Sequence, residues 1–266
     1  MRSILDLQRD ELRGLVGLFA DIDETISTRG KIQPEAFEAL WRLHRAGVKV
    51  VPVTGRAAGW CDHIARFWPV DAVVGENGGF YFFHDGKKLH RRFLYSEEER
   101  AGFRRRLGQV RERIASEVRG CGIASDQLYR EYDLAVDFCE DVAPLPRDQV
   151  LRIVDIFHEA GARARVSSIH VNGWYGDFDK LSSSLLCARE LLGVDLEQNP
   201  RAFGFCGDSP NDEPMFAFFP LSFGVANITP FLDLIERKPA FVTTKESGEG
   251  FVEVVDRILV ARALRD

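Results

Sequence analysis

Four short apolar runs stop abruptly at polar or glycine-bearing turns: residues 15–20 before Asp21, 48–53 before Thr54, 72–74 before Gly75 and 202–206 before Gly207. Runs this short and this uniformly apolar read as strands buried on both faces, the state of a strand in a parallel sheet covered by helices. Helical patterns lie between them, clearest over 34–45, where Pro34 suits a first helical turn and Gly47 a helix end. Strand, helix, strand in succession predicts an α/β protein with an open, Rossmann-like parallel-sheet core and helices on both sides. Such sheets bind ligands where the carboxyl ends of their strands converge.

The rhythm changes from about residue 96 to 176. A charged helix over 96–118 is followed by a strand-like 134–139, a second helix near 147–160 and an alternating 164–171. Pro144 and Pro146 break the chain there, and the amphipathic 181–192 restores the α/β pattern. The expectation is an α+β module over 95–174 inserted into a core made of 1–94 and 175–266, a division that suits 266 residues. The first helix mixes Arg100, Arg104, Arg105, Arg106, Arg111 and Arg113 with Glu97, Glu98, Glu99, Glu112 and Glu117, and reads as a solvated, ion-paired face.

Composition narrows the function classes. Hydrophobic residues at 45% and charged residues at 29% are those of a soluble globular protein, which sets aside disorder and fibrous repeats. Thirty-five Lys and Arg against 41 Asp and Glu give a net charge of −6, so neither nucleic acid nor an anionic membrane is an expected partner. An anionic ligand would need a local site. Five scattered cysteines without CxxC spacing argue against a disulfide framework and a zinc site, and residues 1–10 lack a signal-peptide pattern. No apolar stretch reaches the roughly 18–20 residues of a membrane helix. The expected home is the cytoplasm; the oligomeric state is not written in the sequence.

Four segments carry candidate chemistry. In Asp21-Ile22-Asp23-Glu24-Thr25, period-2 alternation points both aspartates the same way from a strand end, and paired carboxylates call for a cation or a shared proton. The competing reading is a polar turn capping the next helix. Thr54-Gly55-Arg56 offers a hydroxyl, backbone N–H groups and a guanidinium suited to phosphate oxygens, or else a helix cap. Asp179-Lys180 opens a helix where a lysine is unfavourable to the dipole. Gly207-Asp208-Ser209-Pro210-Asn211-Asp212 is a turn, yet turn chemistry hardly explains two acids after so apolar a strand.

Together, in this order and spacing, the four segments resemble the motifs of the haloacid-dehalogenase-like (HAD) superfamily, specifically its Cof-like, type IIB branch of sugar phosphatases. Gly75-Glu76-Asn77-Gly78-Gly79 is similar to the turn preceding that branch's inserted α/β cap. The resemblance implies Mg²⁺ as cofactor and a small phosphorylated metabolite, a sugar or glycosyl phosphate, as substrate. It makes Asp21 a nucleophile forming an aspartyl-phosphate and Asp23 the acid and base. Thr54, Gly55 and Arg56 would hold phosphate or substrate, and Lys180 would neutralise charge. Asp208 with Asp21 and the backbone carbonyl of Asp23 would bind the metal, while Asn211 and Asp212 complete the phosphate and metal-water shell. Uncatalysed phosphate monoester hydrolysis needs acceleration by up to ~10²¹, which makes such a combination of effects necessary.

Two further readings belong to the sequence. Ser168, His170 and Asn172 alternate with apolar residues and would share one face, pointing at substrate hydroxyls. Asn227 fits a loop beside the site. A sugar phosphomutase is the nearest alternative, and a phospho-ligand binding or signalling protein without turnover is the alternative from another class.

Overall fold

The computed structural model describes residues 1–167 and 169–262. In chain order, β1 (Arg2–Ser3), β2 (Gly17–Ala20), α1 (Pro34–Arg45), β3 (Lys49–Pro52) and α2 (Ala58–Phe67) come first. A short run of strands follows: β4 (Val73–Gly75), β5 (Phe80–His84) and β6 (Leu89–Phe93). Next are α3 (Glu97–Glu117), β7 (Gly122–Ile123), β8 (Asp133–Asp137), α4 (Arg147–Glu159), β9 (Arg163–Val166) and β10 (His170–Trp174). The chain closes with α5 (Lys180–Leu192), β11 (Phe203–Gly207), α6 (Glu213–Phe218), β12 (Ser222–Gly224), β13 (Phe241–Val242) and α7 (Ser247–Arg262).

The main sheet runs β1-β13-β12-β11-β2-β3 with every neighbouring pair parallel. The interior strand β2, between β11 and β3, explains the uniform apolarity of 15–20. Leu18 and Ala20 pack into a layer with Leu40 and Leu43 of α1 and Val254 and Ile258 of α7, while Phe19 packs opposite, with Ala188 of α5 and Phe216 of α6. From β2 the chain moves one way to β3 and later the other way through β11, β12 and β13, so a crevice opens at the carboxyl end of β2. Ladder bonds continue one residue past the strands, from Asp21 N–H to Cys206 O at 2.9 Å and from Val53 N–H to Ala20 O at 2.8 Å. Asp21 is thereby fixed as rigidly as the strand itself.

Two expectations are corrected. Residues 72–74 are only bridged to the parallel sheet, through Val53 and Val74, and β4 instead pairs antiparallel with β5 and β5 with β6. Positive φ at Glu76 (45°) and Asn77 (55°) turns the chain so sharply that β4 has only three residues. The alternating 164–171 is two strands, not one. Ser167 caps the reversal, its N–H donating to His170 O at 2.8 Å and its hydroxyl oxygen accepting His170 N–H at 3.0 Å. Alternation carries on through so tight a reversal, and the pattern therefore hides the turn.

The stretch between β6 and α5 forms a separate antiparallel sheet, β7-β8-β10-β9. One face is dry, where Leu134, Val136 and Val171 meet Val110 and Ile114 of α3 and Ile153 and Phe157 of α4. The other face carries Asp133, Asp137, His170 and Asn172 and looks onto the crevice of the main sheet. Docking uses backbone as well as side chains: the buried Glu76 carboxylate accepts N–H groups of Glu131 (2.9 Å), Tyr132 (2.6 Å) and Asp133 (3.2 Å) besides that of Ala58 (2.9 Å) in its own unit, and the Tyr132 side chain packs into the main core. Burial, aided by Asp133, pushes Glu76 up to about 8 against the pull of Arg130 and these amides. Among the described residues no helix is long and apolar enough to cross a membrane.

Candidate active site

Neither capping alternative holds at the first two segments. After Asp21 the chain leaves strand geometry in a wide turn over Ile22–Ile26 with Glu24 at φ 55°, and α1 starts only at Pro34, with Gln33 as its cap residue. Asp21 and Asp23 do reach one cleft, through this turn and not through strand alternation. At the second segment α2 starts at Ala58 with Ala57 as cap residue, so Thr54-Gly55-Arg56 is left free of that duty. Thr54 is fully buried, its hydroxyl oxygen accepting the Arg56 N–H at 3.0 Å. Gly55 lies against Asn77, where a Cβ would stand 3.2 Å from the amide oxygen, and its carbonyl accepts Arg130 Nη1 at 3.0 Å.

Lys180 is the first residue of α5, with Asp179 as the cap accepting Ser182 N–H at 2.7 Å. Its unfavourable place on the dipole is answered inside the protein. The buried Nζ lies 3.1 Å from Asp21 Oδ1 and 2.8 Å from Asp212 Oδ1. Burial alone would pull this lysine down, but the two carboxylates hold it above its ordinary value, so it stays charged. The other Asp212 oxygen accepts the N–H of Asp208 at 3.1 Å. Thr25 Oγ1 donates to Asp208 at 3.2 Å, and Asn227 Nδ2 donates to the Glu24 carbonyl at 3.0 Å and to Asp208 at 3.3 Å.

Carboxylate oxygens of Asp21, Asp208 and Asp212 all lie within 4.8 Å of one another. Burial pushes Asp21 up to about 7 against the pull of Lys180, with Asp212 and Asp23 adding to the rise. Asp208 is driven well above the usual carboxylate range, first by burial and then by Asp21 and Asp212. Three carboxylates against one ammonium leave the ionised group two charges short of neutral. Hard oxygen donors with that deficit fit a divalent cation such as Mg²⁺. The Asp23 carboxylate is not in this group. Arg56 grips it with Nε at 3.1 Å and Nη2 at 2.7 Å, while the guanidinium lies 5.3 Å from the Trp60 ring centre and 3.9 Å from Glu140.

His170 and Asn172 share the crevice face as the alternation suggests; Ser168 lies outside the described residues. Asn172 donates to Asp133 at 2.8 Å. His170 is buried, with Nε2 at 2.9 Å from a Glu140 oxygen yet off the line of a hydrogen bond, which leaves that nitrogen without a bonded partner. Burial, reinforced by Arg130, lowers its pKa to about 4. Between its ordinary 6.5 and about 4 the unfolded chain takes up a proton that the folded protein refuses, so acidification across that window destabilises. His170→Asn should remove about 2 kcal/mol of the stability lost between pH 7 and pH 4. Urea denaturation of both proteins at the two pH values measures it; equal losses would disprove the assignment.

Several residues were silent in the sequence. Arg130, fully enclosed, binds Asp133 at 2.9 Å and Asp126 at 3.0 Å and joins the inserted sheet to Gly55. Glu140 faces Arg56 and His170 from the same side. Only the i,i+3 spacing of Arg130 and Asp133 hints at any of this. Thr25 lay in plain view, but read as a cap.

Residues 18–101 match the sequence profile of the haloacid dehalogenase-like hydrolases. That stretch, about a third of the chain, resembles the family. Among solved structures, this chain is similar to protein 0175 of Thermoplasma acidophilum, at 20% identity and a TM-score of 0.70 over 92% of this chain and 99% of that one. A HAD/COF-like hydrolase of Plasmodium vivax follows at 16% identity and 0.69, over 95% and 98%. The sucrose-phosphatase of Synechocystis sp. PCC6803, solved with sucrose and phosphate, gives 16% and 0.64 over 92% and 98%. No curated protein matches in sequence. The antiparallel unit of this chain lies between its second and third motif segments.

Proposed function

We propose that this protein is a Mg²⁺-dependent phosphatase acting on a small phosphorylated metabolite, a sugar or glycosyl phosphate, with residues 95–174 serving as the cap that covers the site. The observation carrying the reading is Asp21, fixed at the end of β2, paired to a buried Lys180 and grouped with Asp208 and Asp212. In the proposed reaction an Asp21 oxygen attacks phosphorus and the bond to the alcohol oxygen breaks. Asp23 gives that oxygen a proton, leaving an aspartyl-phosphate. Asp23 then takes a proton from water, which attacks the same phosphorus, releasing phosphate and restoring Asp21.

Asp23 must first leave Arg56, and the freed guanidinium is then available to a phosphoryl oxygen alongside Thr54 and the N–H groups near Gly55. Lys180 offsets the repulsion between Asp21 and an anionic substrate. Asp21, Asp208 and the carbonyl of Asp23 would hold Mg²⁺, with Asn211 and Asp212 completing its shell. When bound, the ion supplies charge neutralisation for the phosphoryl group. His170 would meet a substrate hydroxyl with its unpartnered nitrogen.

Phosphate release from sugar, glycosyl and nucleotide phosphates, with and without chelator, tests the reading; release only in the presence of a bisphosphate activator would favour the mutase. Metal fit has its own readout. Saturating Mg²⁺ should raise Tm by about 5 °C or more. Asp208→Asn should abolish the shift, while the metal-free variant melts no lower than wild type because one crowded carboxylate is gone. A persisting shift would remove Asp208 as a ligand.

A further inference from the structure

A cavity of about 270 Å³ opens beside the catalytic group, between β9 and the residues at the start of α5. The cleft holding Asp21, Asp23 and Arg56 measures about 40 Å³, too small for a phosphorylated metabolite. Asn211 lines both spaces, so a leaving group that outgrows the first enters the second.

The chemistry of the larger cavity is one-sided. Cross-strand register places Arg165 opposite Asn172 and Arg163 opposite Trp174, on the face turned away from α3 and α4. Arg163 is committed to Asp177. Arg165 has no hydrogen bond or ion pair among the described residues, whereas Arg100, Arg104, Arg113, Arg130 and Arg152 of the same module each hold a carboxylate. From the core side comes Asn77, 5% exposed, with an Nδ2 that has no partner and a backbone at φ 55°. A buried donor left open in this way asks for an acceptor. The one carboxylate lining the cavity, Asp179, is occupied in capping α5.

We propose that Arg165 and Asn77 form a subsite for a second oxyanion, so that the substrate is a phosphomonoester whose leaving group itself carries a carboxylate or a second phosphate. The proposal rests on the phosphatase reading and names the substrate class for it. Arg165 acts on specificity, with no part in the phosphoryl step.

Matched pairs test it: glucose 6-phosphate against 6-phosphogluconate for the carboxylate, and fructose 6-phosphate against fructose 1,6-bisphosphate for the second phosphate. The wild type should favour one acidic member by at least about tenfold in kcat/KM, which identifies the oxyanion. Arg165→Gln should erase that preference through KM, and Arg165→Lys should restore part of it. Equal turnover of both members of both pairs, or an equal loss on both in the glutamine variant, would overturn the subsite. Should nothing be hydrolysed, p-nitrophenyl phosphate included, the fault lies with the phosphatase reading. Calorimetric binding of the same four compounds to the Asp21→Asn protein, with and without Arg165→Gln, then decides the subsite separately: tighter binding of an acidic member that depends on Arg165 supports it, and indifference refutes it.

Discussion

Asp21→Asn should retain the fold and lose turnover by about 10⁴-fold or more. The amide is nearly the same size as the carboxylate, and the strand-end bond from the residue 21 N–H to Cys206 O does not involve the side chain. What disappears is the attacking oxygen's charge and nucleophilicity. A neutral side chain beside Asp208 and Asp212 also relieves crowding that pushes Asp208 far above the usual carboxylate range. The variant should therefore be no less stable than wild type. Phosphate release and Tm measured on one preparation check both halves. Turnover within tenfold of wild type would mean that Asp21 is not the nucleophile, whatever its position.

Lys180→Met should have the second largest effect, and in two observables. Activity should fall by about 10³-fold, because among the described residues Lys180 is the one basic side chain paired with Asp21 and Asp212. Stability should fall by about 3 kcal/mol near pH 8, where two buried carboxylates are left facing one another. The sign with pH follows from the direction of the shifts. Without Lys180 the Asp21 carboxyl titrates higher still, the folded protein holds a proton that the unfolded chain has released, and stability declines as pH rises from about 4 through 8. The destabilisation should accordingly shrink towards pH 5. Chemical denaturation at pH 5 and pH 8 measures it; a loss independent of pH would show that the lysine matters through packing alone.

Much of this molecule was legible because local rules and the fold agree. The run 202–206 reads as a buried strand and forms one at Phe203–Gly207, since both faces of that strand are covered and no alternation can arise. Pro34 and Gly47 bracket α1 as expected. Aspartates, Thr54 and Lys180 stood out because each sits where an element ends and propensity alone explains it poorly. Arg130 and Glu140 did not stand out, and Glu76 and Asn77 entered only as a turn motif, because the contacts of Glu76 with Tyr132, Arg130 with Gly55 and Glu140 with Arg56 each span more than 50 residues. Glu76 meets Tyr132, and Arg130 meets Gly55, only after the inserted sheet has docked. No periodicity records such a contact.

The docking itself has an evolutionary corollary. Glu76 holds the inserted sheet through the amides of Glu131, Tyr132 and Asp133, and an amide is the same whatever side chain follows it. Substitutions on the crevice face that spare Arg130 and Asp133 can therefore change the lining of the crevice without loosening these amide bonds. This backbone part of the joint is blind to side-chain identity, so the crevice-facing surface can drift around the fixed Arg130 and Tyr132 while the aspartates beneath it stay where they are.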